Sequence, residues 1–162
     1  EKIHSKEGLY QVLESICDPE IPVVSIREMG ILRDIILHEN ACEIIITPTY
    51  SGCPAMGIIE KDIMTAVQAS GITDVKVTTV YSPAWTTDWM STETREKLRK
   101  FGIAAPLHSH CVNWLQPERQ LVICPRCNSG RTTLVSRFGS TACKALYTCS
   151  DCHEPFDYFK CH

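Results

Sequence analysis

Four cysteines near the end of the sequence have the spacing of a metal site. They form two Cys-x2-Cys pairs with 21 residues between the pairs: Cys124, Cys127, Cys149 and Cys152. Each short turn directs two sulfurs at one point, and two such turns brought face to face supply the tetrahedral four-thiolate shell that zinc prefers. A single iron centre accepts the same ligands. The spacing therefore predicts a structural metal site, with zinc as the expected ion and iron as the alternative.

Cysteine is also the outlier of the composition. Ten of the 162 residues are cysteines, and six of these fall in the last 39 residues. Disulfides are the alternative to a metal site, but paired Cys-x2-Cys spacings favour thiolate ligands in a reducing compartment. The other candidates in this region are left as packing residues, a second site or further ligands: Cys143, Cys161, His153 and His162.

A second thiol placed for chemistry is Cys53, in SGCP at 51–54, where a predicted strand ends and a predicted helix begins. A thiol at a helix N-terminus lies at the positive end of the helix dipole, which favours the thiolate and makes the sulfur a nucleophile or a ligand. A cysteine that only ends a strand is the alternative. Asp18 and Glu20 offer further ligands, acids or bases, although aspartate before proline is also an ordinary turn residue.

Two tryptophans lie in a predicted loop. Trp85 and Trp89 belong to SPAWTTDWM at 82–90, between the last predicted strand and helix of this part of the chain. Tryptophan is enriched in the energetic centres of protein interfaces, so contact with a partner is one interpretation. Filling of the core is the other.

The elements that position these residues follow the order α-β-β-α-β-α. The hydrophobic pattern predicts helices near 6–17, 54–70 and 91–101, and strands at 31–37, 42–47 and 74–80. Because a helix separates the second strand from the third, we expect these two strands to lie parallel. The order predicts the α/β class, with a small mixed sheet covered by helices.

Composition predicts a division into two domains. Residues 103–117 contain no charged side chain and show no sustained period, which is typical of a linker. We therefore expect an α/β domain at 1–105, a linker at 106–117 and a small zinc-ribbon β domain at 118–162. A ribbon of this size builds little core, so its metal would supply much of its folding free energy.

Charge and hydropathy exclude several classes of function. The formal net charge is -3, which argues against a surface that coats nucleic acid. No run approaches the ~18 apolar residues of a membrane-spanning helix, and residues 1–7 are too polar for the core of a signal peptide. We therefore expect a cytoplasmic protein without membrane or nucleic-acid partners. The oligomeric state is left open, a homodimer included.

Three segments of the first domain resemble a known family. DPEIPV at 18–23, TYSGCPAM at 49–56 and SPAWTTDW at 82–89 are similar to the small α/β domain of iron-sulfur assembly and metal-sulfur-cluster biosynthesis proteins. The C-terminal ribbon adds FGSTACKAL at 138–146 and EPFDYFKC at 154–161. With this ribbon, nearly the whole chain resembles the family of D subunits of bacterial phenylacetyl-CoA epoxidase.

The resemblance implies an accessory role in the ring 1,2-epoxidation step of aerobic phenylacetate degradation. It implies partners among the other epoxidase subunits, namely a di-iron oxygenase and a reductase with flavin and an iron-sulfur cluster, and it places catalysis in those subunits. By the same resemblance, Cys53 transiently handles iron or a cluster, Asp18 and Glu20 shape its surroundings, and the ribbon cysteines hold structural metal. A stoichiometric scaffold subunit is the alternative, and a thiol enzyme acting on a thioester is a third.

Overall fold

The structure is a computed structural model that describes residues 5–106 and 121–160. It contains two compact units, Glu1–Trp85 and Thr86–His162. Most of the predicted linker, from residue 107 on, lies outside the described residues. Within those residues no helix has the length and apolar character needed to cross a bilayer.

The first unit packs two helices on a three-stranded sheet. Its elements are α1 (Lys6–Leu13), β1 (Cys17–Asp18), β2 (Ile21–Ser25), β3 (Leu32–Leu37), β4 (Ala41–Ile46), α2 (Ala55–Ala69) and β5 (Asp74–Thr79). The sheet has the order β3-β4-β5, with β3 antiparallel and β5 parallel to β4. The α/β class and the parallel pair across α2 are thereby confirmed.

The core of this unit includes buried residues of both β4 and α2. Strand β4 buries alternate residues, among them Ile44 and Ile46, both fully buried, and α2 buries Ile59, Ile63 and Val67 at helical spacing. Apolar side chains at these two periods are what drive a helix to pack on a sheet.

The start of the chain differs from the prediction. The Ser5 hydroxyl accepts a hydrogen bond from the Gly8 N–H at 3.1 Å and caps α1, as serine does at helix starts. The predicted helix at 6–17 was too long, because Cys17 pairs with Ser25 in a short antiparallel ladder between β1 and β2. Residues 19–20 are thus the tip of a hairpin.

The second unit contains a four-stranded sheet. Its elements are a 3-10 helical turn (Thr87–Trp89), α3 (Thr92–Phe101), β6 (Ile103–Ala104), β7 (Thr132–Ser136), β8 (Lys144–Cys149) and β9 (Pro155–Phe159). The strand order is β6-β9-β8-β7, with β6 parallel to β9 and the other pairs antiparallel. The predicted domain at 1–105 includes α3 and β6, whereas both belong to this unit, where β6 pairs with β9.

Aromatic side chains form the small core of the sheet. Tyr147 stacks on Phe156 at 6.0 Å between ring centroids and meets Tyr158 edge-on at 5.4 Å. The same buried cluster includes two cysteines of the paired turns, Cys124 and Cys149. Sulfur ligands are therefore part of the core of this unit.

Candidate metal centre and thiol site

The four cysteines of the paired turns converge on one point. Their sulfurs all lie within 4.8 Å of one another, with 3.7 Å between those of Cys124 and Cys152 and 3.5 Å between those of Cys127 and Cys149. A tetrahedral shell with zinc-sulfur bonds of about 2.3 Å requires about 3.8 Å between sulfurs. All four are free thiols, and they are the one such grouping of His, Cys, Asp and Glu in residues 5–106 and 121–160. The predicted ligand set thus fits zinc.

The first pair of ligands is held by a turn that we call the first knuckle, residues 124–129. The Cys124 carbonyl accepts from the Asn128 N–H at 3.0 Å, and the Cys124 N–H donates to the Ser129 carbonyl at 2.9 Å. Asn128 has a φ of 61°, in the left-handed region that asparagine tolerates. The Ser129 N–H donates to the Cys127 sulfur. The backbone hydrogen bonds of this turn therefore fix the positions of the Cys124 and Cys127 sulfurs.

The second knuckle, residues 149–154, repeats this geometry. The carbonyl of Cys149 accepts from the His153 N–H at 3.0 Å, and its N–H donates to the Glu154 carbonyl at 3.0 Å. His153 has a φ of 63°, the counterpart of Asn128 in the first knuckle. Its exposed side chain is outside the sulfur cluster. The left-handed φ and the exposed side chain of His153 are those of a residue that shapes the turn.

Four thiols this close interact strongly when they ionise. The Ser129 amide favours the thiolate of Cys127, but desolvation and the hydrogen bonds that the protonated Cys127 thiol makes with the other three sulfurs outweigh it and raise the pKa of Cys127 to about 12. The pKa of Cys149 is lowered instead, first by the amide of Cys152. A divalent cation would favour the thiolate at every ligand, so binding displaces protons.

The remaining cysteines of this region are not part of that cluster. Cys143 is buried, and its sulfur lies 3.0 Å from the Thr141 hydroxyl oxygen. Cys161 and His162 lie outside the described residues. Of the interpretations left open for Cys143, its burial agrees with a packing residue.

Cys53 lies directly before α2, as the sequence predicts. Its N–H donates to the Tyr50 carbonyl and its carbonyl accepts from the Met56 N–H, each at 3.3 Å. Gly52 before it has a φ of 79°, which allows the sharp turn into the helix. The thiol is half-buried. The turn and the helix together fix its position.

The structure brings two carboxylates close enough to act on this thiol. Asp18 and Glu20 both raise the pKa of Cys53, and β1, which contains Asp18, contacts α2. Asp18 is 7% exposed, and its Oδ1 accepts from the Glu20 N–H at 2.8 Å. Asp18 is therefore both a turn residue and a neighbour of the thiol.

The electrostatics of Cys53 correct one expectation. Burial is the largest cause that raises the pKa of Cys53, and the charges of Asp18 and Glu20 add to it. The Ala55 amide and the Tyr50 side chain act in the opposite direction and do not compensate. The expected preference for the thiolate at the helix start is outweighed, first by burial and then by the charges of Asp18 and Glu20, which come from a distant part of the sequence. Without a cation, the thiol keeps its proton at neutral pH.

Tyr50 is a site residue that the sequence analysis missed. Its side chain hydrogen-bonds to the Cys53 thiol. Its position three residues before Cys53, within the same turn, was the available signal. A phenol there can donate to a thiolate and stabilise it.

The two tryptophans have different surroundings. Trp85 is 4% exposed, and its Nε1–H donates to the Met29 carbonyl at 2.7 Å. Of the two interpretations left open, the structure favours core filling for Trp85, because the indole is buried in the first unit and satisfies the Met29 carbonyl. Trp89 is half-buried in the 3-10 helical turn, and its contact with a partner stays a prediction.

Two family models match the chain. Residues 6–80 match the model described as iron-sulfur cluster assembly protein, and residues 109–160 match the one described as PaaD zinc beta ribbon domain. The solved structure of a domain of unknown function from Bacillus anthracis is similar with a TM-score of 0.54 and 30% identity, over 57% of this chain and 90% of that one. The solved structure of a conserved hypothetical protein from Thermotoga maritima is similar with a TM-score of 0.52 and 29% identity, over 60% of this chain and 97% of that one. Fold and site thus define an iron-sulfur assembly domain followed by a zinc ribbon.

Curated relatives narrow this class. A protein of Escherichia coli (strain K12), provisionally named as the D subunit of 1,2-phenylacetyl-CoA epoxidase, is 50% identical over 94% of this chain and 91% of its own length. An Fe-S protein maturation auxiliary factor of Bacillus subtilis (strain 168) is 34% identical over 53% of this chain and 85% of its own. An Fe-S protein maturation auxiliary factor of Porphyromonas gingivalis is 28% identical over 60% of this chain and 94% of its own length. The chain belongs to the family of phenylacetyl-CoA epoxidase D subunits.

Proposed function

We propose that the chain is a non-catalytic accessory factor that delivers iron or an iron-sulfur cluster to the oxygenase components of phenylacetyl-CoA epoxidase. Cys53 is the ligand that holds the cargo. The observation that carries the proposal is the position of Cys53 before α2, with Asp18 and Glu20 near enough for their charges to act on the thiol, inside the part of the chain that matches the iron-sulfur assembly model. The names of the relatives support the same role.

Charge explains how such a site would take up and release a metal. A protonated thiol beside two carboxylates is a net negative site that attracts a cation. When the cation arrives, the thiol loses its proton and becomes a ligand, so uptake displaces a proton. The carboxylates that raise the pKa of Cys53 also favour its reprotonation once the cargo leaves. Transient loading is therefore the behaviour that this arrangement favours.

The ribbon has a separate task in this proposal. Its four cysteines hold structural zinc, and its partners are the di-iron oxygenase subunit or the reductase with flavin and an iron-sulfur cluster. Both sites require reduced thiols, so the proposal includes a cytoplasmic location, where thiols are kept reduced. Epoxidation itself takes place in the partner subunits.

The test is the metal content of the partners. The epoxidase components are produced in cells with the wild-type chain, with Cys53→Ser or with Cys42→Ala, and iron is measured per purified oxygenase and reductase. Cys42 is the matched control because it is a buried thiol in the same unit, near the start of β4, whereas Cys53 follows the end of that strand. We expect several-fold less iron in one component with Cys53→Ser alone. Full iron loading with folded Cys53→Ser would refute delivery.

The raised pKa of Cys53 favours a second candidate function. A half-buried thiol with a raised pKa is also typical of a cysteine that binds no metal. In that case the chain is a stoichiometric scaffold within the epoxidase. Cys53→Ser would then leave both the iron content and the co-purification of the components unchanged, whereas removal of the whole chain would separate them.

A further inference from the structure

The two knuckles contact each other through side chains at equivalent positions. Arg126 and Asp151 each follow the first cysteine of their own knuckle by two positions, and Ser129 and Glu154 each follow it by five. Arg126 of the first knuckle contacts Glu154 of the second, and Asp151 of the second contacts Ser129 of the first. The Ser129 hydroxyl donates to Asp151 Oδ2, and the Arg126 Nε lies 4.0 Å from Glu154 Oε2. We call these two reciprocal contacts the knuckle clasp. A side-chain pair between two separate turns constrains their relative position.

Asp151 makes the stronger half of the clasp. Its second carboxylate oxygen, Oδ1, accepts from Arg131 Nη2, so both oxygens are bound by residues at the end of the first knuckle and just after it. The neighbouring Ser150 N–H donates to the Arg131 carbonyl at 2.8 Å. The Asp151 side chain is 31% exposed, whereas those of Arg126 and Glu154 are 59% and 55% exposed. The Arg131 side chain is 76% exposed as well, and exposed ion pairs contribute little, so the hydrogen bond from Ser129 to Asp151 is the contact that constrains the two knuckles most.

Ser129 connects the clasp to the sulfur ligands. Its N–H donates to the Cys127 sulfur, its carbonyl accepts from the Cys124 N–H, and its hydroxyl donates to Asp151. Asp151 itself lies between two ligands, directly before Cys152. A shift of one knuckle relative to the other therefore displaces sulfurs in both.

We propose that Asp151, acting through Ser129, is a positioning residue that slows the escape of zinc from the ribbon. Zinc leaves a four-thiolate site when one knuckle moves away and a thiolate is exposed to protons or a competing ligand. Groups that orient metal ligands change affinity by roughly 10- to 100-fold when removed. The clasp holds the knuckles together by contacts that do not involve the metal.

The test is the rate of zinc transfer to excess 4-(2-pyridylazo)resorcinol from the full chain loaded with one zinc per molecule. We expect Asp151→Ala and Ser129→Ala to speed the transfer about 10-fold, and Ser129→Thr, which keeps the hydroxyl, to restore slow transfer. Glu154→Ala should have a smaller effect. Asp151→Asn is the second variant: it keeps the size of the side chain but loses the charge and one of the two acceptor oxygens that bind Ser129 and Arg131, so we expect faster transfer than in the wild type.

Asp157→Ala is the matched control. The Asp157 carboxylate also accepts from a serine hydroxyl, that of Ser140 at 2.8 Å, but this pair is outside both knuckles. We expect zinc transfer from Asp157→Ala at the wild-type rate. The proposal is overturned if both folded Asp151 variants release zinc at the wild-type rate. It is equally overturned if Asp157→Ala speeds release as much as Asp151→Ala, because the effect would then be general loss of stability.

Discussion

The two units of this chain use the same residue type for different purposes. In the second unit, Cys124 and Cys149 belong to the buried aromatic cluster, so the metal site and the core are one structure. In the first unit, buried aliphatic residues such as Ile44 and Ile63 form the core, and Cys53 lies in a turn at its edge. A thiol inside the core is committed to stability, whereas a thiol in a turn is free to bind and release. This difference in surroundings is what the proposal of structural zinc in one unit and transient cargo in the other depends on.

Removal of zinc should give the largest difference between the units. Binding of structural zinc to four thiolates contributes on the order of 10 kcal/mol, more than a small ribbon core supplies. We therefore expect a strong chelator to unfold β8 and β9 while β4 stays folded. Hydrogen exchange detected by mass spectrometry measures the protection of each strand separately. Protection of β8 and β9 that survives complete zinc removal would show that the aromatic cluster suffices.

Trp85→Ala should have the next largest effect, confined to the first unit. The change opens a cavity and leaves the Met29 carbonyl without its indole donor, which together cost about 3–5 kcal/mol. Urea unfolding of the zinc-loaded chain measures the loss. Trp89→Ala is the control because Trp89 is only half-buried, and we expect a smaller loss. Equal losses from the two substitutions would contradict the core role of Trp85.

The smallest predicted effect concerns the reactivity of Cys53. Burial and the carboxylates raise the pKa of Cys53, so less thiolate is present at neutral pH and alkylation should speed up as the pH rises towards that pKa. Asp18→Asn keeps the acceptor for the Glu20 N–H but removes a charge, which lowers the pKa of Cys53. We expect about twofold faster alkylation by iodoacetamide at pH 7.5, measured on the Cys53 peptide by mass spectrometry.

Asp74→Asn is the control for this measurement. The Asp74 carboxylate raises the pKa of Cys42, after burial, and is not among the groups that act on Cys53. Alkylation of Cys53 should therefore stay at the wild-type rate in Asp74→Asn. Slower alkylation in Asp18→Asn would mean that the nearby charge favours the thiolate, contrary to the electrostatics of the Cys53 site.

Features set by neighbours in sequence were predictable. The Cys-x2-Cys spacing identified the ligand set, because a knuckle is a local turn, and apolar residues at helical spacing located α1. The parallel pair of β4 and β5 followed from the helix between them. Each of these depends on residues within one element or on the order of adjacent elements.

Features set by distant partners were not predictable. The end of α1 depends on the pairing of Cys17 with Ser25, and β6 exists as a strand because it pairs with β9. The pKa of Cys53 depends on Asp18, and the burial of Trp85 on the carbonyl of Met29, 56 residues away. Two-residue strands and side chains that meet across the fold leave no local pattern in the sequence.

The measurement that tests the central claim most directly is elemental analysis of the chain purified without oxygen, with zinc, iron and acid-labile sulfide counted per molecule. The wild type, Cys53→Ser and Cys42→Ala are compared. Separate structural and transient sites predict one zinc in all three, with additional iron or sulfide in the wild type and Cys42→Ala but not in Cys53→Ser. Iron that is equal in the wild type and Cys53→Ser, or absent from every sample, would contradict a cargo site at Cys53.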